Sequence, residues 1–150
     1  MASSSRAIAS LLSLMALASL PITSAVSIPI ATPSSLLSGD YLRPDGRIIR
    51  SGFRLVMRDR DCKLVLYDHS FHKIWQSENN GGGKACRAGL EHHGTLIILN
   101  RKNEKVWKSE NRHHQGTYPY EVFINDRNAA VEIRDKFHYI MWSSKDHIKP

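Results

Sequence analysis

The stretch DCKLVLYD, from Asp61 to Asp68, holds the residues of this sequence most able to do chemistry, and Asp59 precedes it by two positions. Paired carboxylates hydrolyse glycosides when two acids face each other across a cleft and one carries a tuned proton. The alternating apolar residues here predict a strand instead, on which alternate side chains form a flat row. Since a flat row is not a cleft, and no Ser/His/Asp or Cys/His arrangement is recognisable, we predict that the protein is not an enzyme.

The histidines and the glycine-rich loop are the other candidates for chemistry. The eight histidines include the adjacent pairs His92–His93 and His113–His114. Adjacent side chains of a strand point to opposite faces, so each pair is a poor chelate. The loop from Asn79 to Gly83 lacks the Gly-Lys-Ser/Thr ending of a phosphate-binding loop. We therefore predict no metal site and no cofactor.

The first part of the chain carries a targeting pattern. Residues 1–25 contain one charge, followed by an apolar run from Leu11 to Leu20 and a small-residue exit. This order is typical of a secretory signal peptide. The apolar run is short for a membrane-spanning helix, so a membrane anchor is the less favoured alternative. We expect cleavage after Ala25 or after Ser27, a leader at residues 26–35, and a secreted or vacuolar protein without a transmembrane segment.

The two cysteines fit an oxidising compartment. Cys62 and Cys86 lie 24 positions apart, and such a pair predicts one disulfide. Closing a loop of this length stabilises a fold by about 3 kcal/mol in the chain-entropy model. A metal pair is the alternative, but the spacing is not that of a zinc site.

The net charge is positive. It is +7 at pH 7, and one of these charges, Arg6, lies in the signal peptide. Such a charge favours acidic glycans, membranes or nucleic acid, or simply maintains solubility. Because the basic residues are spread singly and no nucleic-acid motif accompanies them, we predict no nucleic-acid partner.

A threefold repeat organises the rest of the chain. Trp75, Trp107 and Trp142 recur at intervals of 32 and 35 positions. Two alternating apolar runs precede each of them: 53–57 and 63–67, 85–90 and 95–99, and 120–124 and 129–133. Each unit therefore predicts three strands joined by turns, and no helical period is found beyond residue 40. The fold class is all-β. One short sheet cannot bury its own apolar face, so we expect three units to pack around an axis with the Trp residues in the core. An exposed aromatic platform for sugar stacking is the alternative.

Several stretches of these units resemble one family. They are 36–42 (LLSGDYL), 52–57 (GFRLVM), 61–68 (DCKLVLYD) and 74–77 (IWQS). They are similar to the monocot mannose-binding lectins of the bulb (snowdrop) type over residues 36–144, which leaves 145–150 as a tail. The resemblance implies a β-prism of three four-stranded antiparallel sheets around a pseudo-threefold axis, with one potential mannose site in each sheet. Members of the family often form homodimers by exchanging a C-terminal strand, and many act in plant defence.

The site of that family is the pattern Gln-x-Asp-x-Asn-x-Val-x-Tyr, whose polar side chains bind sugar hydroxyls in a row. In the first repeat the resemblance places this row on Asp59, Asp61, Lys63, Val65 and Tyr67, so that the Asp, Val and Tyr are kept. In the middle repeat it places the row on Glu91, His93, Thr95, Ile97 and Leu99, and none is kept. In the third it places the row on Ile124, Asp126, Asn128, Ala130 and Glu132, where Asp126 and Asn128 are weaker candidates for carbohydrate binding.

Two features of these rows limit what the sequence predicts. Glu132 lies ten positions before Trp142, against eight in the other repeats, which indicates an insertion or a slip in the third alignment. In the first row Lys63 either pairs with Asp61 or serves as a charged donor for an acidic sugar. We expect a glycan-binding protein with two degraded sites and an altered specificity. The alternative is a β-prism that binds no sugar and acts through protein contacts or its basic surface.

Overall fold

The computed structural model of the protein describes residues 32–111 and 116–147, with side chains up to Asp146. In chain order the strands are β1 Ser35–Leu37, β2 Tyr41–Leu42, β3 Arg47–Arg50, β4 Phe53–Arg58, β5 Lys63–Tyr67, β6 Lys73–Gln76, β7 Arg87–Leu90, β8 Leu96–Leu99, β9 Lys105–Lys108, β10 Glu121–Asn125, β11 Ala130–Arg134 and β12 Ile140–Ser143. A 3₁₀ turn, Ser144–His147, follows β12. In this part of the chain there is no α-helix, and no helical segment has the length and apolar character needed to cross a membrane.

Several predictions concern residues outside that description. They are the signal peptide of residues 1–25 with its cleavage site, the leader as far as residue 31, the pair His113–His114, and the end of the tail at 148–150. These stay predictions.

The strands form three antiparallel sheets of four strands each. The first sheet has the order β3-β4-β5-β6, the middle sheet β2-β7-β8-β9, and the third sheet β1-β10-β11-β12. The prediction of an all-β fold with three four-stranded sheets is confirmed. The segment before β4 supplies one strand to each sheet, so the N-terminal part of the fold ties the three repeats together.

Alternation along the strands explains why these sheets pack on one another. In β4 the side chains of Phe53, Leu55 and Met57 are buried, while those of the intervening Arg54, Val56 and Arg58 are partly exposed. A period of two places all the buried residues on one face, which the other sheets then cover. The first sheet thus has an apolar inner face and an outer face that is open to solvent.

The three tryptophans meet inside the fold. Their ring centroids lie 5.7–6.1 Å apart, each pair in an edge-to-face arrangement. Trp142 is 2% exposed, and Trp75 and Trp107 are partly buried against the same core. Edge-to-face contacts of this kind add to the stability that burial provides. The rings pack against one another between the three sheets, and the partly exposed Trp75 and Trp107 also line a surface depression of about 380 Å³ together with Trp142.

The register of the central strands fixes how the repeats correspond. Leu66 pairs with Trp75, Ile98 with Trp107, and Ile133 with Trp142, and a bulge follows each pair on the central strand. A serine in each repeat, at 77, 109 and 144, accepts the N–H of the residue two positions before that Leu or Ile, at 3.0–3.1 Å. The third repeat therefore has the same spacing as the first, with no insertion between the central strand and the Trp.

The loops between the last two strands of each sheet share an internal cap. Asp68, Asn100 and Asp135 begin these loops, and in each the side-chain oxygen accepts the N–H groups two and four residues further on, at 2.8–3.0 Å. Burial of the Asp135 carboxyl raises its pKa, but backbone N–H donors from Thr117, Tyr139 and Phe137 outweigh this and hold the pKa below its ordinary value. The charged form of this carboxylate is therefore the one that the fold stabilises.

A disulfide joins Cys62 to Cys86, with 5.3 Å between the two Cα atoms. Cys62 lies in the turn between β4 and β5, and Cys86 directly precedes β7. The bond therefore links the first sheet to the middle sheet. The predicted disulfide is confirmed, which removes the alternative of a metal pair.

Candidate functional site

The first row lies at one end of the outer face of the first sheet. Lys63, Val65 and Tyr67 occupy alternate positions of β5, while the intervening Leu64 and Leu66 are buried in the core. Asp59 and Asp61 lie in the turn that leads into this strand. The period of two thus places the row outside the prism, as the resemblance implies.

Arg58, the last residue of β4, lies across this row. Its Nε donates a hydrogen bond to Asp61 Oδ1 at 3.1 Å, and its Nη2 is paired with Asp61 Oδ2. Its Nη1 donates to the Tyr67 hydroxyl at 3.3 Å. One guanidinium therefore binds both polar residues that the row shares with the family pattern. Of the two alternatives for Lys63, the ion pair with Asp61 is not formed, because Arg58 pairs with the carboxylate instead.

The contacts of Arg58 also set its protonation. Burial alone lowers its pKa, but the hydrogen bonds to Asp61 and Tyr67 raise the pKa above its ordinary value. The side chain of Arg58 is 19% exposed and that of Asp61 is 33% exposed. The pair is a half-buried ion pair with bidentate geometry, which is stronger than a typical surface pair.

Lys63 lies beside Arg58, because the two are direct partners in the register of β4 and β5. No acceptor or carboxylate within the described residues binds its ammonium group. Two cations thus stand next to each other on this face, while a single carboxylate, Asp61, pairs with one of them. The first row therefore has a positively charged surface at the position where the family pattern has a neutral amide.

The other two predicted residues of the first row have different surroundings. The carboxylate of Asp59 accepts the backbone N–H of Ala85, and its own N–H donates to Asp45 at 3.2 Å, so Asp59 braces a turn. Val65 is fully buried, at 0% exposure. The structure thus brings together Asp61, Lys63 and Tyr67, with Asp59 turned toward the neighbouring segment and Val65 covered.

The sequence interpretation missed Arg58. Its position in the register shows how it could have been found. The turn from Asp59 to Cys62 joins two adjacent strands, so the residue that ends β4 must lie opposite the one that begins β5. Pairing β4 with β5 places Arg58 beside Lys63. The row of the family pattern follows β5 and its preceding turn only, so it does not include Arg58.

The middle row forms a shallow depression of about 510 Å³, which Glu91, His93 and Thr95 line together with Lys105 and others. The Glu91 carboxylate lies 3.0 Å from the Lys105 ammonium and 3.1 Å from His93 Nε2. Ile97 is buried at 3% exposure. The polar groups of this row are thus engaged with one another.

The third row was aligned two positions too early. Since Ile133 corresponds to Leu66, the residues that match the first row are Asp126, Asn128, Ala130, Glu132 and Arg134. Asp126 therefore stands at the Gln position and Asn128 at the Asp position of the family pattern. This corrects the assignment of Asp126 and Asn128 as a retained Asp and Asn.

Internal contacts occupy most polar groups of the third row, and the buried Asn128 Oδ1 is the exception among its described atoms. Asn125 and Asn128 each donate to the carboxylate of Glu132 at 2.9 Å, and Glu132 is only 4% exposed. Asp126 accepts the Ser51 hydroxyl, and this hydrogen bond is the main cause that lowers its pKa. Arg134, at the Tyr position, pairs with Glu121.

The described residues also bear on metal binding. Within 32–111 and 116–147, no group of three His, Cys, Asp or Glu side chains comes together in a way that could hold a metal ion. The chemistry of the rows is that of hydrogen bonding and charge.

Known proteins resemble this chain in sequence and in fold. No family model matches the chain. Over 98 residues the chain is 34% identical to a mannose-specific lectin of Aloe arborescens, a match that covers 65% of this chain and 86% of that protein. Over 100 residues it is 39% identical to mannose-specific lectin 2 of Colocasia esculenta, and this match covers 67% of this chain and 36% of that protein. A crystal structure of a monomeric monocot mannose-binding lectin from Gastrodia elata superposes with a TM-score of 0.64 and 27% identity, covering 74% of this chain and 96% of that one.

The three four-stranded sheets and the outward-facing rows define a β-prism of the lectin type. Lectins are not enzymes. The chain belongs to the monocot mannose-binding lectin family. It spans about a third of the length of the Colocasia esculenta relatives that it matches.

Proposed function

We propose that the protein is a carbohydrate-binding lectin whose working site is the first row. The observation that carries this proposal is the cluster of Asp61, Lys63 and Tyr67 on the outer face of the first sheet, where the family pattern places its sugar-binding residues. The hydroxyl and ammonium groups of the partly exposed Tyr67 and Lys63 on β5, with the carboxylate of Asp61 in the preceding turn, suit the vicinal hydroxyls of a sugar. Glycans are therefore the proposed partners.

The other two rows are degraded sites in this proposal. Glu91 of the middle row is engaged by Lys105, and Glu132 of the third row is engaged by Asn125 and Asn128. A sugar at either row would have to break contacts within the protein before it formed its own. Each net hydrogen bond is worth only about 1 kcal/mol, so a shallow site cannot easily recover such a loss.

Mannose binds weakly at the first row in this proposal. Arg58 already occupies the oxygens of Asp61 and Tyr67, and Lys63 replaces the amide of the family pattern. Losing about 1.4 kcal/mol of hydrogen bonding weakens binding about tenfold. The specificity is therefore altered relative to the relatives, which are named mannose-specific.

The double variant Arg58→Ala with Lys63→Asn tests the site. It frees Asp61 and Tyr67 and restores the amide, so we expect methyl α-mannoside to bind at least about tenfold more tightly than to the wild type. Isothermal titration calorimetry measures both affinities, and circular dichroism confirms that the variant folds.

Thr95→Asn is the matched control, because it introduces the same amide at the equivalent position of the middle row. Its neighbours His93 and Leu99 do not complete the pattern, so this variant should gain no affinity. A folded double variant that gains nothing, or an equal gain in Thr95→Asn, would place the sugar site elsewhere.

A second candidate function is a scaffold without sugar binding that acts by protein contacts or through its basic surface. The observation in its favour is the same ion pair, because Arg58 fills part of the row. Contacts through a basic surface weaken steeply as salt rises, whereas binding of neutral sugars does not. Retained sugar binding at high salt would decide against this function.

We also propose that the chain is exported and serves in plant defence. The N-terminal pattern of residues 1–25 supports export. Sequencing the N-terminus of the secreted protein is the test, and it should begin at Val26 or at Ile28. An N-terminus at Met1 would contradict cleavage.

A further inference from the structure

We propose that the outer face of the first sheet binds glycans that carry sulfate or carboxylate groups. This inference rests on the proposed function, since it names the class of ligand for the first row. It goes beyond that function because it extends the site from one strand to the whole face.

The three sheets differ sharply in charge. The strands of the first sheet contain six Lys or Arg residues and no acid. Those of the middle sheet contain three and no acid, and those of the third contain one Arg and two Glu. A concentration of one sign on one face attracts ligands of the opposite sign and raises their local concentration.

The register arranges most of these cations in parallel lines across the outer face. The middle line contains Arg47, Val56, Val65 and Gln76. The line on one side of it contains Arg54, Tyr67 and Lys73, and the line on the other side contains Arg58 and Lys63. Lines two residues apart on a strand are about 7 Å from each other. The face therefore presents five cations on three neighbouring lines, and a polymer with repeated anionic groups can contact several of them at once.

Among the described residues, Arg58 is the one cation of these three lines that pairs with a carboxylate. Arg58 pairs with Asp61, whereas Arg54 stacks on the Phe71 ring at 4.1 Å and Lys73 donates to Gln76 at 3.2 Å. For Arg47 and Lys63, the described residues offer no acceptor or carboxylate partner. Most of the positive charge on the face is thus available to a ligand.

The acids around the edge of the sheet are already engaged. Asp45 accepts the N–H of Asp59, and Asp59 accepts the N–H of Ala85. Asp68 accepts two backbone N–H groups of its own loop, and these hydrogen bonds, the one from His72 above all, lower its pKa. These carboxylates are fixed in turns at the ends of the strands, where Asp45 and Asp59 line a shallow depression together with Arg58.

Arg58 is held ready for an anionic group. It uses one N–H on each of its three nitrogens for Asp61 and Tyr67, which leaves one N–H on each terminal nitrogen. A planar guanidinium matches the two oxygens of a carboxylate or sulfate, and prior fixation reduces the entropy that binding must remove. The Tyr67 hydroxyl and the Gln76 amide on the same face can bind sugar hydroxyls, which favours a glycan over a bare phosphate chain.

The test compares three probes on the full chain: dextran sulfate oligosaccharides, polygalacturonate fragments and unmodified dextran. We expect both acidic probes to bind and the neutral one not to, with affinity falling as NaCl rises from ~0.05 to ~0.5 M. Arg47→Gln with Lys63→Gln should weaken acidic-probe binding about tenfold, since two surface charge contacts are lost.

The control variant is Lys102→Gln with Lys145→Gln, which removes the same net charge from exposed positions outside the first sheet. It should leave the affinity within about twofold. An equal loss in both variants, or equal affinity for a DNA duplex, would overturn the inference of a glycan site on this face.

The mannoside titration separates this inference from the proposed function. Mannoside binding by the Arg58→Ala, Lys63→Asn variant, with no binding of acidic probes by the wild type, would overturn the inference alone. Failure of both experiments would overturn both.

Discussion

At the scale of single residues, Arg58 decides the chemistry of the first row. The family pattern offers Asp and Tyr oxygens to a sugar, and here the same oxygens accept hydrogen bonds from a guanidinium. Asp61 is thereby both a candidate ligand group and the partner that holds Arg58 in place. Removing the Asp61 carboxylate should therefore increase the positive charge of the face and reduce the ordering of the Arg58 side chain.

Asp61→Asn tests this dual role. Removing the carboxylate leaves Arg58 unneutralised, so we expect acidic glycans to bind several times more tightly. The unfolding free energy should fall by about 1 kcal/mol because a charge-assisted hydrogen bond is weakened. Calorimetric titration and urea unfolding give the two values.

Asp40→Asn makes the same change of charge at an exposed position outside the strands of the first sheet. It should change neither value appreciably. Weaker binding of acidic glycans by Asp61→Asn would contradict the expectation that an unneutralised Arg58 favours them.

At the scale of elements, the repeated strand unit could be predicted and its exact register could not. The spacing of Trp75 and Trp107 predicted equivalent strands, and the structure has them. The third row was placed two positions early because Asp126 and Asn128 imitate the Asp-x-Asn of the pattern. Only the pairing of Ile133 with Trp142 shows that the row continues to Arg134. Residue types alone do not define a register, whereas paired strands do.

The loop caps give a prediction at the same scale. Asp135→Ala removes the acceptor for three backbone N–H groups and should lower the unfolding free energy by about 2 kcal/mol. Asp135→Asn should cost less, because Asn100 fills the same role in the middle repeat. Urea unfolding at neutral pH, followed by Trp fluorescence, measures both losses.

The contribution of the Asp135 carboxylate to the unfolding free energy should depend on pH in the acid range. The pKa of Asp135 is lowered in the fold, so its stabilising effect is complete above the ordinary Asp value of about 3.9 and is lost as the pH falls through the folded value. The stability difference between wild type and Asp135→Asn should therefore shrink as the pH falls toward that range. A difference that stays constant with pH would contradict this assignment.

At the scale of the whole molecule, three repeats are joined by two devices. The segment before β4 gives β1 to the third sheet, β2 to the middle sheet and β3 to the first, which the sequence did not predict because these strands are only two to four residues long. The disulfide between Cys62 and Cys86 was predicted from the compartment and the pairing of two lone cysteines. β12 pairs with β11 of the same chain, so strand exchange in a homodimer stays a prediction.

Removing the disulfide tests its share of the stability. The paired variant Cys62→Ser, Cys86→Ser should lose about 3 kcal/mol of unfolding free energy, because the open chain regains the entropy of a 24-residue loop. Equilibrium denaturation of wild type and variant measures the loss. Reducing the wild type with dithiothreitol is the control, and it should reproduce the same shift. An unchanged midpoint in both would show that the bond contributes little.

In our proposal the protein binds glycans through the outer face of the first sheet, with acidic groups favoured over mannose. A glycan array that contains neutral mannosides beside sulfated and carboxylated glycans tests it most directly, with wild type and Arg47→Gln, Lys63→Gln applied in parallel. The account predicts that the wild type binds the acidic glycans, that mannosides give little signal, and that the variant loses most of the binding. Strong mannoside binding that the variant retains, or the absence of any glycan signal from the folded wild type, would contradict it.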